Sequence, residues 1–431
     1  MQKKIYCVFL FLLFSLGFCN KQLYSLDLSA VTDFFYDYVD SHEGETSFRS
    51  LLIPFGGRAE SLGNAYTALS DDISFLNYNP AASSIQKETQ ISVFHNSWIS
   101  DSNFETIAYT TRLNNFGFGF QASCFYVPFT EYNIFGDRTA GSYYTETTAC
   151  VNIAYNFLNG YDFKGIAIGA NIKGSWRGVP NYADDDTNEI ISNSGLRQSG
   201  LGLMADLGLL LRFNFLKFYN SREPNVRIGI SARNLGVALT NFSGANGIKL
   251  DDSLPTILAA GISITLVEPV TLSLDFKQPI KLFDINSYLL PYISLGVSVS
   301  IFNNFSILAG IEVKGANPRI SAGAEFQFSK IRMNMNYTLD FTSSAVPVNR
   351  ISLSGKVMLG DRGRSLIDSK VDSYYMQGLE YYSDANWEAA IEVWNKALEL
   401  NKRFDPAILG IKSAQAQIIM FNNIKESLKL E

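Results

Sequence analysis

Arg58 is the residue of this sequence whose chemistry lends itself most directly to binding. It stands in residues 51–84, a stretch made mostly of small, apolar and uncharged polar side chains. A guanidinium pairs readily with a carboxylate, so Arg58 could hold the headgroup of a ligand or an acid of the protein itself. Asn77, Asn79 and Pro80 follow in the same stretch and predict a fixed turn. A purely structural role, holding the stretch in place, is the interpretation we favour for all four residues.

Small residues are the second feature of this stretch. Gly57 and Gly63 stand among further small residues, which are Gly56, Ala59, Ala65 and Ala68. Glycine and alanine allow a backbone to lie close against other structure. We therefore expect residues 51–84 to be packed inside a larger element.

The sequence gives no support for catalysis. Residues 117–122 and 200–205 match the glycine spacing of dinucleotide-binding loops, but both lie in predicted strands with no helix following. The chain has two histidines, His42 and His95, which leaves little room for a histidine-based metal site or catalytic triad. The acidic run 184–186 is typical of a solvated loop. We expect no enzyme activity, no cofactor and no metal.

The composition of the 431 residues favours β-structure in contact with an apolar phase. Aromatic residues make up 13% of the chain, charged residues only 18%, and the net charge is -6. Soluble domains usually carry more charge. The acidic balance gives no basic footprint for nucleic acid. No stretch reaches the roughly 18 uninterrupted apolar residues of a membrane-spanning helix.

Alternation of apolar and polar residues predicts strands between residues 89 and 360. It is cleanest in the last third, as in Val270–Lys277 and Ile331–Asp340. We predict about fourteen antiparallel strands, most of them long enough to cross a bilayer at a tilt, which takes about 9–11 residues. The connections are mostly short on one side and long on the other, as in bacterial outer-membrane barrels. The turn 214–224 is the one long connection on the short side.

The period of two by itself is compatible with a soluble sandwich as well as with a membrane barrel. Strand number, strand length and the asymmetry of the loops favour the barrel, with its apolar row towards lipid and its polar row towards the lumen. A barrel of this size holds water unless something fills it. Residues 51–84 are the natural filler.

The filler resembles the N-terminal plug, or hatch, of the FadL family of outer-membrane transporters for hydrophobic compounds. The resemblance rests on Gly-Gly-Arg-Ala at 56–59, Gly-Asn-Ala at 63–65, Ser-Asp-Asp at 70–72 and Asn-Tyr-Asn-Pro-Ala at 77–81. It covers residues 48–360. Within the superfamily the chain is most similar to an uncharacterised spirochaete branch and to the secretion-associated PorV and PorQ proteins.

The resemblance implies a barrel that takes up hydrophobic solutes such as long-chain fatty acids by hatch-gated passive diffusion. Its implied partners are the lipid of the outer membrane and an apolar small molecule. The hatch and ligand residues would be Gly57, Arg58, Gly63, Asn77, Asn79 and Pro80. In the family the third strand carries a kink that opens the wall sideways, and Gly117, Gly119 and Pro128 on the third strand here would allow one.

After residue 360 the period changes from strand to helix. Six residues stand at the spacing of a tetratricopeptide repeat, a pair of packed helices; they are Tyr374, Gly378, Tyr381, Ala390, Trp394 and Ala397. We predict that Gly378 allows close helix approach, that Tyr381 and Trp394 fill the core, that Asn386 caps the second helix and that a third helix begins at Pro406. A lone repeat leaves one face open, so it either caps itself or docks on the barrel rim or on a periplasmic protein.

The predicted fold class is all-β, a transmembrane barrel with a hatch, followed by a small α-helical domain. The parts are a signal peptide (1–19), a leader (20–47), the hatch (48–88), the outer-membrane barrel (89–360), a linker (361–370) and a periplasmic helical domain (371–431). Cys19 raises a lipoprotein alternative, which the large Phe18 before it disfavours. Cys124 and Cys150 are either bridged or, as we favour, two small apolar side chains.

Two functions remain open. In the first, apolar outer loops capture an acyl chain or a similar solute, and the hatch shifts so that the solute leaves through the lumen or a lateral gap. In the second, the barrel is a PorV-like scaffold whose periplasmic repeat recruits a protein partner.

Overall fold

The protein is described by a computed structural model that covers residues 46–427, apart from 100, 134, 162, 185, 188, 220, 243–246, 285–288, 315–316 and 342–347. The predicted signal peptide and nearly all of the predicted leader lie outside the described residues. Fourteen long strands form one closed antiparallel barrel, in which each strand pairs with its neighbours in sequence and the first pairs with the last. A two-residue strand, Lys249–Leu250, adds to the edge of the seventh. The predicted fold class is confirmed.

The strands follow the alternation of the sequence. They are β1 (Gln90–Ser97), β2 (Asn103–Leu113), β3 (Phe116–Tyr132), β4 (Arg138–Phe157), β5 (Ile166–Gly178), β6 (Gly200–Phe213), β7 (Val226–Thr240), β8 (Thr256–Val267), β9 (Val270–Ile280), β10 (Tyr292–Phe302), β11 (Phe305–Lys314), β12 (Asn317–Phe328), β13 (Ile331–Asp340) and β14 (Val348–Met358). The bounds of β13 are those predicted. The strand predicted at Val270–Lys277 continues to Ile280.

The two faces of the barrel wall have opposite polarity. In β13 the side chains of Met333 and Met335 are 60% and 55% exposed, whereas Asn334 and Asn336 between them are 2% and 1% exposed. An apolar outer face around a polar interior is the reverse of a soluble domain and matches a barrel whose wall meets lipid. The chain is therefore an outer-membrane type of β-barrel, with its polar residues turned inward.

The two rims of the barrel differ. Connections such as 114–115, 303–304 and 329–330 are tight and lie at one rim, which we call the short-turn end. Connections such as 179–199 and 241–255 lie at the opposite rim, the long-loop end. None of the helices in the described part of the chain is long and apolar enough to cross a membrane.

Residues 47–88 fill the lumen, and we call this segment the hatch. It holds one short helix, α1 (Gly57–Ser61), and three 3-10 turns, Arg49–Leu52, Ile73–Asn77 and Pro80–Ile85. At the long-loop end the Ser47 N–H donates to the Ser253 carbonyl at 3.1 Å. At the short-turn end the chain enters β1, and the N–H of Thr89 donates to the carbonyl of Gly360 at 2.8 Å.

Three helices follow the barrel, and we call them the helical tail. They are α2 (Arg364–Ser383), α3 (Trp387–Leu400) and α4 (Asp405–Ser427). The linker predicted at 361–370 is wrong beyond residue 363, because the Asp361 carboxylate accepts the N–H groups of Gly363 at 3.0 Å and Ser365 at 2.7 Å and starts the helix early. The third helix begins one residue before the predicted Pro406.

The helical tail lies against the short-turn end. The ring of Tyr161 in the turn after β4 packs edge-on against Phe404, with centroids 5.0 Å apart. The Arg222 guanidinium pairs with Asp372 at 2.6 Å. Arg222 belongs to the turn 214–224, so the one long connection on the short side is a contact for the tail. The rim is one of the docking sites that the sequence left open for the repeat.

Candidate functional site

Arg58 lies inside the barrel and pairs with two acids of the protein. Its guanidinium contacts Asp71 of the hatch at 2.9 Å and Glu325 of β12 at 3.2 Å. Burial alone would raise the pKa of the Asp71 carboxyl, but the charge of Arg58 outweighs it and holds that pKa well below its ordinary value. Arg58 therefore joins the hatch to the barrel wall, and its charge is already matched by the protein's own carboxylates.

Glu60 makes a second junction, without a salt bridge. Its carboxylate accepts hydrogen bonds from the hydroxyls of Ser352 at 2.9 Å and Thr338 at 3.3 Å and from the amide of Asn96 at 3.4 Å. Burial raises the pKa of the Glu60 carboxyl above its ordinary value, although the charge of Arg350 opposes the shift. Three strands thus hold one side chain of α1.

Asp72 and Tyr66 form a third junction. The Asp72 carboxylate pairs with Lys356 of β14, and both groups are almost completely buried. The Tyr66 hydroxyl contacts the carboxylates of Asp71 and Asp72 at 2.6 and 2.8 Å. From the opposite wall, the Asp275 carboxylate accepts the N–H groups of Tyr66 and Thr67 at 2.9 and 2.7 Å. The centre of the hatch is therefore fixed from both sides of the barrel.

The predicted turn residues also hold the hatch. Asn79 caps the last 3-10 turn by accepting the N–H of Ala81 at 3.2 Å, and its amide donates to the Leu209 carbonyl of β6 at 3.0 Å. The carbonyl of Pro80 accepts the Asn152 amide at 2.9 Å. The carbonyl of Asn77 accepts from Arg233 at 2.7 Å. Each of these contacts supports the structural interpretation of the sequence.

Glycines of the wall bring the barrel into contact with the hatch backbone. A Cβ on Gly310 would overlap the backbone of Leu62 and Gly63, and a Cβ on Gly63 would lie 2.5 Å from the backbone of Ile311. Gly57, with φ at +69°, would bring a Cβ to 2.7 Å from the Ser354 hydroxyl. We call the wall glycines whose added Cβ would have a hatch atom as its nearest neighbour the glycine belt; they are Gly117, Gly119, Gly169, Gly208, Gly229, Gly296, Gly310 and Gly323.

The residues predicted to open the wall lie in unbroken strands. Gly117 and Gly119 of β3 pair in register with both β2 and β4, so the wall is closed at these positions. A Cβ on Gly117 would overlap the backbone of Ser83, and one on Gly119 would lie 2.7 Å from Leu76. The absence of a side chain at both positions makes room for the hatch. Pro128 stands beyond the last residue of β3 that pairs with β2, and it pairs with Tyr143 of β4 alone.

A cavity of about 290 Å³ lies between the start of the hatch and the wall near the long-loop end. Its apolar lining comes from both parts, and consists of Leu51, Leu52, Ile53, Pro54, Tyr78, Trp98, Ile99, Phe125, Ile257 and Tyr292. This volume is at the lower limit of ligand pockets, which hold roughly 300–1,000 Å³. It suits a small apolar solute or one end of a longer one.

Most of the charged side chains that line this cavity are cations, although Arg319 also pairs at 2.9 Å with Asp340, which is not part of the lining. Arg49, Arg233, Lys277, Lys314 and Arg319 line it together with a single carboxylate, Glu312. Glu312 is already held by Lys277 at 2.8 Å and Arg319 at 3.3 Å. Arg233 lies with its guanidinium carbon 5.5 Å from the ring centre of Tyr78. A solute that combines an apolar body with a negative group fits this lining.

Residues 31–362 match the model of the Uncharacterised protein family (UPF0164). This chain belongs to the UPF0164 family. A UPF0164 protein of Treponema pallidum (strain Nichols) is 28% identical over 398 residues, which are 90% of this chain and 86% of that relative. A second from the same organism is 29% identical over 377 residues, 85% of this chain and 74% of the relative.

Solved structures similar to this UPF0164 member are transport barrels. The toluene transporter TbuX of Ralstonia pickettii has a TM-score of 0.46 and 12% identity, over 70% of this chain and 98% of that chain. A FadL homologue of Pseudomonas aeruginosa has a TM-score of 0.38 and 8% identity, over 70% and 97%. The architecture of this member rests on its own strand register.

The helical tail of this UPF0164 member packs around Trp394, which is 1% exposed. Its indole N–H donates to the Tyr375 carbonyl at 3.1 Å, and a Cβ on Gly378 would overlap the indole ring. The other predicted core residues belong to the same cluster, which contains Tyr374, Tyr381, Ala390 and Ala397. Asn386 caps α3 through the N–H of Ala389 at 3.4 Å. The assignment to the tetratricopeptide family stays a prediction.

Sequence reasoning did not identify which acids hold the hatch, or that cations from separate strands meet at one cavity. Asp71 and Asp72 stood in the quoted motif, but Lys356, the partner of Asp72 in the last strand, could be assigned only with the register in hand. Cys124 and Cys150 are both free. They lie on opposite faces of the wall, because Cys150 is buried in the lumen while Cys124 contacts Thr147 on the outer face.

Proposed function

We propose that this barrel takes up hydrophobic solutes through the cavity at the long-loop end, with that end facing outside the cell. The observation that carries the proposal is the cavity itself, an apolar pocket between hatch and wall whose polar lining is mainly cationic. An outer-membrane barrel with an open lumen would pass polar solutes, but here the hatch fills the lumen. The pocket therefore selects what enters.

We further propose that the solute carries a negative headgroup, as a long-chain fatty acid does. A carboxylate would pair with Arg233, which lies between the Asn77 carbonyl and the ring of Tyr78. The volume of about 290 Å³ accommodates the head and the first part of a chain. The remainder of the chain would lie towards the outer loops, whose exposed apolar residues include Phe135, Ile190 and Phe283.

The experiment compares two ligands of equal length, dodecanoate and dodecanol, on the full chain in detergent. Replacing Arg233 with Gln (Arg233→Gln) should weaken dodecanoate binding about ten-fold, the value of one charge-assisted hydrogen bond, and leave dodecanol binding unchanged. Arg332→Gln is the matched control, since Arg332 contacts Gln327 at 2.8 Å at the other rim. Equal loss of both ligands, or no binding of either to the unsubstituted protein, would refute the proposal.

A second candidate is a scaffold, in which the helical tail recruits a periplasmic protein. The observation in its favour is the outer end of α4, where apolar side chains remain exposed on a helix that ends the described chain. These are Ile419, Met420, Phe421 and Ile424, with exposures of 61%, 59%, 54% and 47%. In this second proposal, the helical tail is a tetratricopeptide repeat and lies in the periplasm.

Deletion of residues 364–431 separates the two candidates. A scaffold loses its protein partner on this deletion, which can be measured by cross-linking in intact envelopes, while dodecanoate binding at the distant cavity persists. The double variant Ile419→Ser with Ile424→Ser keeps the tail and removes only its exposed apolar end. If the partner remains bound to this variant, the apolar end of α4 is not the recruiting surface.

A further inference from the structure

The short-turn end of the lumen contains a group of cations that the proposed uptake site does not use. Arg212 of β6 and Arg227 of β7 are direct cross-strand partners. Both lie on the lumen side, where Arg227 donates to the Leu69 carbonyl of the hatch at 2.5 Å. Arg212 donates to the Lys164 carbonyl at 2.9 Å. Like charges placed directly opposite across two strands are destabilising.

Further cations surround this pair. Arg112, near the end of β2, and Arg227 both lie within electrostatic range of Arg212. Arg364, the first residue of α2, donates to the Arg112 carbonyl at 2.9 Å and to the hatch carbonyls of Gln86 and Lys87. The helical tail thus lies on one side of the group and the hatch on the other. We call Arg112, Arg212, Arg227, Lys164 and Arg364 the basic cluster.

The carboxylates near the basic cluster make no direct contact with its buried arginines, although Glu223 lies within electrostatic range of Arg112, Arg212 and Arg227. Within the part of the chain that the structure describes, none of Arg112, Arg212 and Arg227 forms an ion pair with a carboxylate. Glu223 pairs with Lys87 at 3.2 Å, and Asp372 pairs with Arg222 at 2.6 Å. Burial lowers the pKa of the Lys164 ammonium, and the charges of Arg212 and Arg222 lower it further against the opposing effect of Glu223 and Asp368.

Arg212 is the member of the basic cluster that has both strong burial and an unused hydrogen-bond donor. The residue is only 8% exposed, and its Nε has no hydrogen-bond partner. A buried charge of this kind costs free energy unless a counter-charge is present. Planar guanidinium groups bind carboxylates and phosphates through paired hydrogen bonds.

We propose that the basic cluster binds an anionic carboxylate or phosphate group between the hatch and the helical tail. The anion has two sources, which share this chemistry. It is the headgroup of an amphiphile that has passed the hatch, or a soluble phosphate that enters from the side of the tail. In both cases the anion joins the hatch, the barrel and α2 through groups that repel one another without it.

Four versions of the full chain in detergent test the proposal, each titrated with inorganic phosphate and with dodecanoate by calorimetry. Arg212→Gln should weaken anion binding about ten-fold, and Arg212→Lys, which keeps the charge, should bind within about three-fold of the unsubstituted protein. Arg332→Gln, at the same rim but on the opposite wall, should bind normally. All are compared with the unsubstituted chain.

The two ligands distinguish the sources and keep this test separate from that of the cavity. Phosphate binding that is lost in Arg212→Gln indicates a soluble anion. Dodecanoate binding that survives Arg233→Gln and is lost when Arg212→Gln is added indicates an amphiphile. Loss of either ligand on Arg212→Gln supports anion binding by the basic cluster, even if the cavity proposal fails. The proposal is overturned if neither anion binds, or if Arg332→Gln weakens binding as much as Arg212→Gln.

A thermal measurement excludes a merely structural role for Arg212. Because Arg212→Gln relieves repulsion, its unfolding temperature without anion should equal or exceed that of the unsubstituted chain. Phosphate or dodecanoate should raise the unfolding temperature of the unsubstituted chain and not that of the variant. A variant that unfolds at lower temperature without anion would show that Arg212 stabilises the apo fold, contrary to the proposal.

Discussion

Arg58 contacts two carboxylates that belong to different parts of the fold, Asp71 in the hatch and Glu325 in the wall. A headgroup would have to compete with both to reach it. Arg58 therefore serves in this structure to hold the hatch against the wall, although its chemistry also suits ligand binding. The ligand-binding charge that we propose comes instead from the cavity, where cations outnumber the carboxylate.

The first prediction concerns the ion pairs of Arg58. Arg58→Gln leaves Asp71 and Glu325 without their shared cation, and breaking a buried pair costs roughly 3–5 kcal/mol. We expect a lower unfolding temperature, measured by the heat-dependent gel mobility of the folded barrel, and an intermediate value for Arg58→Lys. Unfolding of Arg58→Gln at the unsubstituted temperature would show that the pair contributes nothing.

Glu60 gives the opposite prediction to Arg58, namely a gain in stability on substitution that grows with pH. Burial raises its pKa in the folded state, so this group adds stability below its unfolded pKa of about 4.3, and the contribution is lost as pH rises through the folded pKa. Glu60→Gln resembles the protonated form at every pH. We therefore expect the unfolding temperature of Glu60→Gln, relative to the unsubstituted chain, to rise with pH. A difference that falls with pH would mean that the carboxylate is stabilised in the ionised form.

At the scale of elements, the hatch packs closely against the barrel wall because glycines of the wall leave room for it. The glycine belt lets the hatch backbone approach the wall, and polar side chains then bond it from several strands. A plug held in this way has little room to shift as one body. In the uptake that we propose, passage of a solute through the lumen therefore has to involve local changes at the hatch or the wall.

The belt can be tested with a pair of glycines. Gly310→Ala places a Cβ against the backbone of Leu62 and Gly63, whereas Gly355→Ala in β14 meets nothing within 4 Å. Overpacking costs about 1–3 kcal/mol, so we expect Gly310→Ala to fold in lower yield and unfold at lower temperature. Gly355→Ala should behave as the unsubstituted chain. Equal behaviour of both variants would argue against close contact between hatch and wall.

The strands could be predicted from the sequence because alternation is local and the barrel places every second residue in lipid. The partners of the hatch could not be predicted, because Arg58 and Glu325 are 267 residues apart. Their meeting depends on the register of all the strands between them. The early start of α2 was missed for a different reason, since it depends on capping by Asp361 two residues ahead of Gly363.

On the scale of the whole molecule, two parts of the chain block the interior of the barrel. The hatch fills the lumen, and the helical tail lies over the short-turn end, where Arg364 contacts the last residues of the hatch. On the route that we propose, a solute that enters the cavity at the long-loop end meets both before it can leave by the other rim. The route therefore depends on whether the hatch moves.

A cross-link between hatch and wall tests whether the hatch moves during solute uptake. The hydroxyl of Ser61 in α1 donates to the side-chain oxygen of Asn334 in β13 at 3.3 Å, so Ser61→Cys and Asn334→Cys place two thiols close together. If solutes pass by local rearrangement, as the density of hatch contacts predicts, dodecanoate uptake into liposomes should be similar before and after oxidation. Uptake that stops on oxidation and returns on reduction would show instead that the α1 part of the hatch must leave the wall. Either single variant under the same oxidation controls for damage to Cys124 and Cys150.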